Sequence, residues 1–172
     1  MKTQLIWLKP GQHQIETRLA TKEEQTILVL GWFQNQDQTQ VELTIRHQAA
    51  QSHSQILIRV GGQDQARIKV QTRIIIEPQA QEAQAELQSK TLLLDQAQAQ
   101  VQPELEIKTN QVRASHAASI GSLDPNQLFY LQQRGLKPQQ ARRQLIRAFF
   151  HQGTWFKNQS IQKQLTNYLS SL

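Results

Sequence analysis

The stretch ILIRVGGQDQARIKVQTRIII, residues 56–76, decides the fold class. Ile56, Ile58 and Val60 alternate with other residues, Gly61-Gly62 breaks the run, and Ile68 and Val70 resume the alternation. Successive side chains of a strand point to opposite faces, so a period of two marks strands with one apolar face. The unbroken Ile74-Ile75-Ile76 then predicts a strand end buried on both faces or at a corner. The same grammar continues on either side. Val41/Leu43/Ile45 and Leu105/Ile107 alternate, Leu92-Leu93-Leu94 is continuous, and Pro10-Gly11, Glu77-Pro78 and Pro103 interrupt. Residues 80–90, AQEAQAELQSK, favour helix by propensity but supply few apolar contacts, and no sustained 3.6-residue period precedes Leu123. Residues 1–123 therefore read as all-β.

Short strands can build a sandwich, a barrel or a stacked solenoid. A sandwich needs hairpin signals, and Gly61-Gly62 is the one candidate. The corners are instead rich in glutamine, as in QAQEAQ (79–84) and QAQAQ (96–100). A solenoid accommodates such corners, because side-chain amides can stack between coils. A parallel β-helix is the architecture this favours.

After Gly121 the pattern changes to helix. Asp124 reads as an N-cap with Pro125 at the first helical position, and Gly135 as the C-terminal stop. A second helix is expected from Pro138, with Ala141, Leu145, Ala148 and Phe149 on one face, until Gly153. Ser160 is the expected cap of a third, bearing Ile161, Leu165, Tyr168, Leu169 and Leu172.

Charge follows the same division. The 172 residues carry 19 basic and 13 acidic side chains, a formal net charge of +6. Up to residue 123 the two signs balance. From residue 124 the basic side chains Arg134, Lys137, Arg142, Arg143, Arg147, Lys157 and Lys163 face Asp124 alone, so the whole surplus lies in the helices. Such a stripe suits an acidic protein partner or nucleic acid, although no groove-reading motif accompanies it. Glutamine makes up 33 of the 172 residues, a bias that reads as drift on a polar surface.

Several chemistries are excluded by residue type. Without cysteine, this chain offers no disulfide, thiol nucleophile, zinc thiolate or thiolate-held iron–sulfur cluster of its own. The histidines, His13, His47, His53, His116 and His151, form no close ligand pair, and no glycine-rich phosphate loop is present. Ser115-His116 are neighbours in sequence, which is no evidence for a nucleophile–base pair. The opening MKTQLIWLKPGQ has too short an apolar stretch for a signal peptide, and no run is long enough to span a bilayer. A cytoplasmic, non-enzymatic protein is the expectation.

Residues 91–150 carry a resemblance. TLLLDQAQAQVQPELEI, NQVRASHAASIGSLDPNQLFYLQQRGL and ARRQLIRAFF are similar to the C-terminal core of the SufB/SufD family of the SUF iron–sulfur cluster assembly system, closer to the SufD branch. The combination of Ser115-His116, Gly121, Leu123-Asp124, Leu128-Phe129-Tyr130-Leu131 and Arg134-Gly135 carries most of it, with Ala141 and Arg142 following. Weaker similarity extends upstream through HSQILIRVGGQDQARIKVQTRIIIEPQAQ.

The resemblance implies a right-handed parallel β-helix over 1–123 and a three-helix ATPase-docking segment over 124–172. It implies a scaffold subunit that dimerises through its β-helix, with itself or with a SufB-like subunit, and docks a SufC-like ABC ATPase. His116 would then handle iron or a cluster at the dimer interface, while Tyr130, Arg134, Gly135 and Arg142 would lie in the docking segment. No cofactor is expected on this chain alone, and a cluster is expected only transiently in a complex. Neither a membrane nor nucleic acid is an expected partner. Departures from the family pattern are specific: Ala114 stands where SufD has cysteine, Ala117 where it has glycine, and Ala97 near the assembly cysteine of SufB. The glutamates that flank the SufB histidine correspond to Ser115 and Ala117. Two readings of His116 stay open, a satisfied polar residue at a strand end and an inherited functional group. Phe129 and Tyr130 read as helix packing, and Arg134 as a complement to the helix dipole.

Overall fold

The computed structural model describes residues 2–151 and 159–170 and falls into two compact units, residues 1–121 and 122–172. The first contains nine strands: β1 (Lys2–Trp7), β2 (Gly11–Leu19), β3 (Glu24–Phe33), β4 (Gln38–His47), β5 (His53–Gly62), β6 (Arg67–Ile76), β7 (Gln84–Leu93), β8 (Gln98–Ile107) and β9 (Arg113–Gly121). They form two sheets, β1-β3-β5-β7-β9 and β2-β4-β6-β8. Every pairing is parallel. One odd strand and the next even strand make a coil, and about four coils stack into a parallel β-solenoid, as the patterning implied.

Register explains the sequence rows. Ile27, Ile56 and Leu87 align across one sheet, and Val41, Val70 and Val101 across the other. The first five of these are buried to within 1% exposure. Each fully buried Val, Leu or Ile contributes roughly 1.5–3 kcal/mol relative to exposure. Ile74, Ile75 and Ile76 are all buried, in keeping with their unbroken run. The helix-favouring segment becomes β7 because Ala85, Leu87 and Ser89 take the inward row, where burial outweighs local propensity.

Corners are of two kinds. Those leading out of β3, β5 and β7 are always four residues (34–37, 63–66 and 94–97), whereas the segments between even and odd strands vary in length. Each four-residue corner holds one residue in the left-handed region, Asn35, Asp64 and Asp95 at φ 57–59°. Asn and Asp tolerate this region better than most side chains. These residues also tie successive coils: Asp64 Oδ2 accepts from the Asn35 N–H at 2.9 Å, and Asp95 Oδ2 from the Asp64 N–H at 3.3 Å. Glutamine amides bridge coils as well, Gln71 donating to Gln102 at 3.1 Å and Gln25 to Gln4 at 3.1 Å.

One glycine is fixed by a close approach. Gly61 aligns with Trp32 and Leu92, and a Cβ there would lie 2.5 Å from the Trp32 ring and 3.1 Å from the Leu92 carbonyl oxygen.

In the second unit, α1 (Pro125–Gln133), α2 (Pro138–His151) and α3 (Gln159–Ser170) follow in order. Asp124 caps α1, its Oδ1 accepting from the Asn126 N–H at 2.8 Å, with Pro125 entering the first turn. Pro138 opens α2, where Gln140 reaches back to accept from the Lys137 N–H at 2.9 Å. The buried stripe of α2 is Ala141, Ile146 and Phe150. It is rotated from the expected Leu145, Ala148 and Phe149 because the Phe150 ring packs edge-on against Tyr168 of α3 at 6.4 Å. Ser160 lies inside α3, which begins at Gln159, so it is not the cap; Ile161, Leu165 and Leu169 are buried as expected. Gly153, Lys157 and Leu172 lie outside the described residues. Among the described residues, no helix is long and apolar enough to cross a membrane.

Candidate functional site

The last coil, like the first, differs from the coils between them. β8 and β9 are the terminal strands of their sheets, so each carries a row of backbone groups with no further strand to pair. β9 aligns on β7 with Leu87 opposite His116, Ser89 opposite Ala118 and Thr91 opposite Ile120. Leu87, Ser89 and Thr91 are buried inward positions, so His116, Ala118 and Ile120 continue the core row at the end of the stack. There the row is open. Ile120 is 48% exposed and Ile107 of β8 46%, whereas Ile76, one coil below Ile107, is fully buried.

His116 is exposed on this open end, with Ala114 and Ala118 on either side of it in the row. The small neighbours leave its imidazole accessible. Among the described residues, no cluster of three or more His, Asp or Glu side chains is placed to hold a metal. An iron–sulfur cluster takes four ligands, commonly cysteine thiolates. This chain has no cysteine, and His116 supplies one nitrogen donor, so the residues present do not fit a cluster held by this chain alone.

His47 is the histidine that sequence reasoning passed over. It is fully buried at the end of β4, with Nδ1 2.8 Å from Ser52 Oγ and Nε2 2.8 Å from Ser54 Oγ. Burial, aided by nearby His53 and offset in part by hydrogen bonding to the Ser52 backbone, lowers its pKa to about 4. It is a neutral structural residue at neutral pH. The serines at 52 and 54 beside a strand-ending histidine were the available signal.

An ion ladder lies on the outside of the same coils. Glu77 pairs with Arg46 and, at 3.2 Å, with Lys108, which also meets Glu106 at 3.0 Å. Hydrogen bonds from Lys108 and Arg46 hold the Glu77 carboxyl below its usual range.

In the helical unit, Tyr130, Arg134 and Gly135 come together at the end of α1. Arg134 donates to the Tyr130 hydroxyl at 3.0 Å, and its guanidinium carbon lies 5.3 Å from the Tyr130 ring centroid. Gly135, at φ 90°, lets the chain turn so that its N–H reaches the Gln132 carbonyl and the Leu136 N–H the Leu131 carbonyl. This pair of bonds is a glycine-dependent helix stop. Arg142 sits half-buried in the first half of α2. The reading of Phe129 and Tyr130 as helix packing is overturned: they are 63% and 56% exposed, and α1 buries none of its residues. Adjacent residues lie about 100° apart around a helix, so Phe129 and Tyr130 cannot both centre on one apolar stripe.

The family model described as "SUF system FeS cluster assembly, SufBD core domain" matches residues 11–149. An iron–sulfur cluster assembly SufBD family protein of Mycobacterium leprae is 53% identical over 49 residues, 28% of this chain and 12% of that protein. The iron–sulfur cluster assembly protein SufD of Escherichia coli is 45% identical over 47 residues, 27% of this chain and 11% of that protein. The chloroplastic protein ABCI7 of Arabidopsis thaliana is 39% identical over 71 residues, 41% of this chain and 15% of that protein. The matched segments are thus a small part of each relative's length. Because the family model covers most of the solenoid together with α1 and nearly all of α2, the chain belongs to the SufBD core-domain family of the SUF iron–sulfur cluster assembly system.

Proposed function

We propose that this chain is a non-catalytic, SufD-like subunit of an iron–sulfur cluster assembly complex. In this reading the open end of the solenoid pairs with a second solenoid, its own copy or a SufB-like subunit, and the C-terminal helices dock a SufC-like ABC ATPase. One observation carries it: the core row ends at β8 and β9 with Ile107 and Ile120 half exposed and His116 beside them. Apolar core residues left open beside two unpaired strand edges call for a covering partner. His116 then contributes one donor toward a cluster in transit, and the partner contributes the remaining ligands. Exposed Phe129 and Tyr130, with Arg134 and Arg142, make the surface offered to the ATPase.

A second reading follows from the missing cysteine: an adaptor for the ATPase that takes no part in cluster chemistry. Native co-purification with an ABC ATPase supports both, and failure to recover one sinks both. Anaerobic reconstitution of that complex with iron and sulfide separates them. If a cluster forms and His116→Ala lowers its yield, the first reading holds; no cluster leaves the adaptor.

A further inference from the structure

The glutamine bias acquires a shape on the outer face of the β2-β4-β6-β8 sheet. Parallel register places Gln38, Arg67 and Gln98 in one line across three coils, and Gln40, Lys69 and Gln100 in the next. Gln12 of β2 extends the second line by one rung. The four-residue corners add a third line, Gln36, Gln65 and Gln96, held by the Gln65 N–H on the Asn35 carbonyl and the Gln96 N–H on the Asp64 carbonyl, each at 2.9 Å. The result is a grid of amides with two cations on its middle strand. It lines a continuous groove, in which no carboxylate and no aromatic side chain takes part among the described residues.

Arg67 and Lys69 differ from the other cations of this face. Arg18 pairs with Glu16, Arg46 with Glu77, Arg73 with Glu104, and Lys108 with Glu77 and Glu106. Among the described residues, Arg67 and Lys69 have neither an ion pair nor a side-chain hydrogen bond. The bordering carboxylates are occupied. Asp64 and Asp95 accept backbone N–H groups at the corner, and Glu42 accepts from Gln14 and Gln40.

We propose that this groove binds an extended acidic peptide segment of a partner protein, bearing two carboxylates at alternate positions. Arg67 and Lys69 are two residues apart on one strand, about 6.6–6.8 Å along it. Alternate side chains of an extended peptide have the same spacing, so two carboxylates face two cations in register. A glutamine amide offers one acceptor and two donors, the complement of a peptide group's own C=O and N–H. A binder of single-stranded nucleic acid uses aromatic platforms for its bases, and this groove has none. Asp64, Asp95 and Glu42 at the margins repel a longer acidic run, which sets the preference for a short pair flanked by neutral residues. The groove uses the outer face of its sheet, whereas the proposed pairing engages the free edges of β8 and β9, and the peptide test reads binding without any assembly partner present, so its failure and the failure of the assembly role are distinguishable.

The test is fluorescence anisotropy of the full chain with a labelled peptide, Gly-Ser-Glu-Ser-Glu-Ser-Gly, against the same peptide with glutamine for glutamate. The glutamate peptide should bind in a salt-sensitive manner. Arg67→Gln combined with Lys69→Gln should weaken it by about tenfold or more, the effect of losing charge-assisted contacts. Arg73→Gln, a paired cation on the same face, should leave it unchanged. The proposal is overturned if the two peptides bind alike, if neither binds at low salt, or if the double variant binds as the wild type does. It is also overturned if a single-stranded oligonucleotide binds more tightly and loses that binding in the double variant. The peptide substitution keeps the test decisive even if a protein variant folds poorly.

Discussion

His47 and Ser52 fix each other's hydrogen bonding. The Ser52 hydroxyl donates to the Ala49 carbonyl at 2.9 Å, so toward His47 Nδ1, 2.8 Å away, it can only accept. Nδ1 therefore carries the imidazole proton, and Nε2 accepts from the Ser54 hydroxyl at 2.8 Å. A second proton on this ring would confront the Ser54 hydroxyl and has no solvent to stabilise it.

Stability should accordingly fall with acid. The folded pKa of His47, about 4, lies below its ordinary 6.5. Its contribution is complete above 6.5 and is lost as the pH drops from 6.5 through 4, to a limit of about 3 kcal/mol. Glu77, also held low, adds its loss only below about its ordinary 4.5. His151 is lowered by burial and by Arg147, so it shares the upper window. Urea unfolding against pH should therefore show a shallower slope between 6.5 and 4 in His47→Gln than in the wild type, with His151 present in both. An unchanged slope would refute the assignment.

Gly61→Ala should destabilise the solenoid by about 1–3 kcal/mol, the usual cost of overpacking. The added methyl meets the Trp32 ring on one side and the Leu92 carbonyl on the other, and the carbonyl belongs to a paired strand that cannot step aside. A lower melting temperature together with an altered near-ultraviolet signal from tryptophan would report it.

Gly135→Ala should cost about 1–2 kcal/mol in the helical unit, because an L side chain is strained at φ 90°. Gly121→Ala should stay within about 0.5 kcal/mol, since nothing lies within 4 Å of its added methyl. Denaturant midpoints of the two variants, measured side by side, decide between a turn requirement and a general intolerance of this region.

Ile120→Lys should leave the isolated chain as stable as the wild type to within about 0.5 kcal/mol, because the side chain is already half exposed. If the solenoid end pairs with another solenoid, the same substitution should abolish that pairing in analytical ultracentrifugation. Destabilisation of the isolated chain would mean that Ile120 is a core residue in use.

Much of the fold was legible because burial writes itself as period two. Ile56/Ile58/Val60 and Val41/Leu43/Ile45 lie on inward rows as their alternation implies. Asp124-Pro125 and Gly135 marked the ends of α1 because caps are local chemistry. The coil repeat was harder to see. Gln38 aligns with Arg67 after 29 residues and Arg67 with Gln98 after 31, so no single period runs through the chain. The face of α2 was misjudged by one position because Leu145 and Ile146 are equally apolar, and only the packing of Phe150 on Tyr168 chooses between them. At the candidate site, the motif located His116 in sequence. That it continues a core row follows from its register with Leu87, a relation between residues 29 apart that no local pattern records.

The unequal corners give the solenoid a directional tolerance for insertion. The segment after β6, residues 77–83, is two residues longer than the one after β4, residues 48–52, and the coils still align on both sides of it. A single residue added to one of the four-residue corners has no such outlet. It would shift the next strand by one position and exchange its inner and outer side chains, turning the Arg67–Lys69 row inward and Ile68–Val70 out to water. Length can therefore grow along one seam of this protein, while from β3 onward the opposite seam acts as the gauge that keeps successive coils in step.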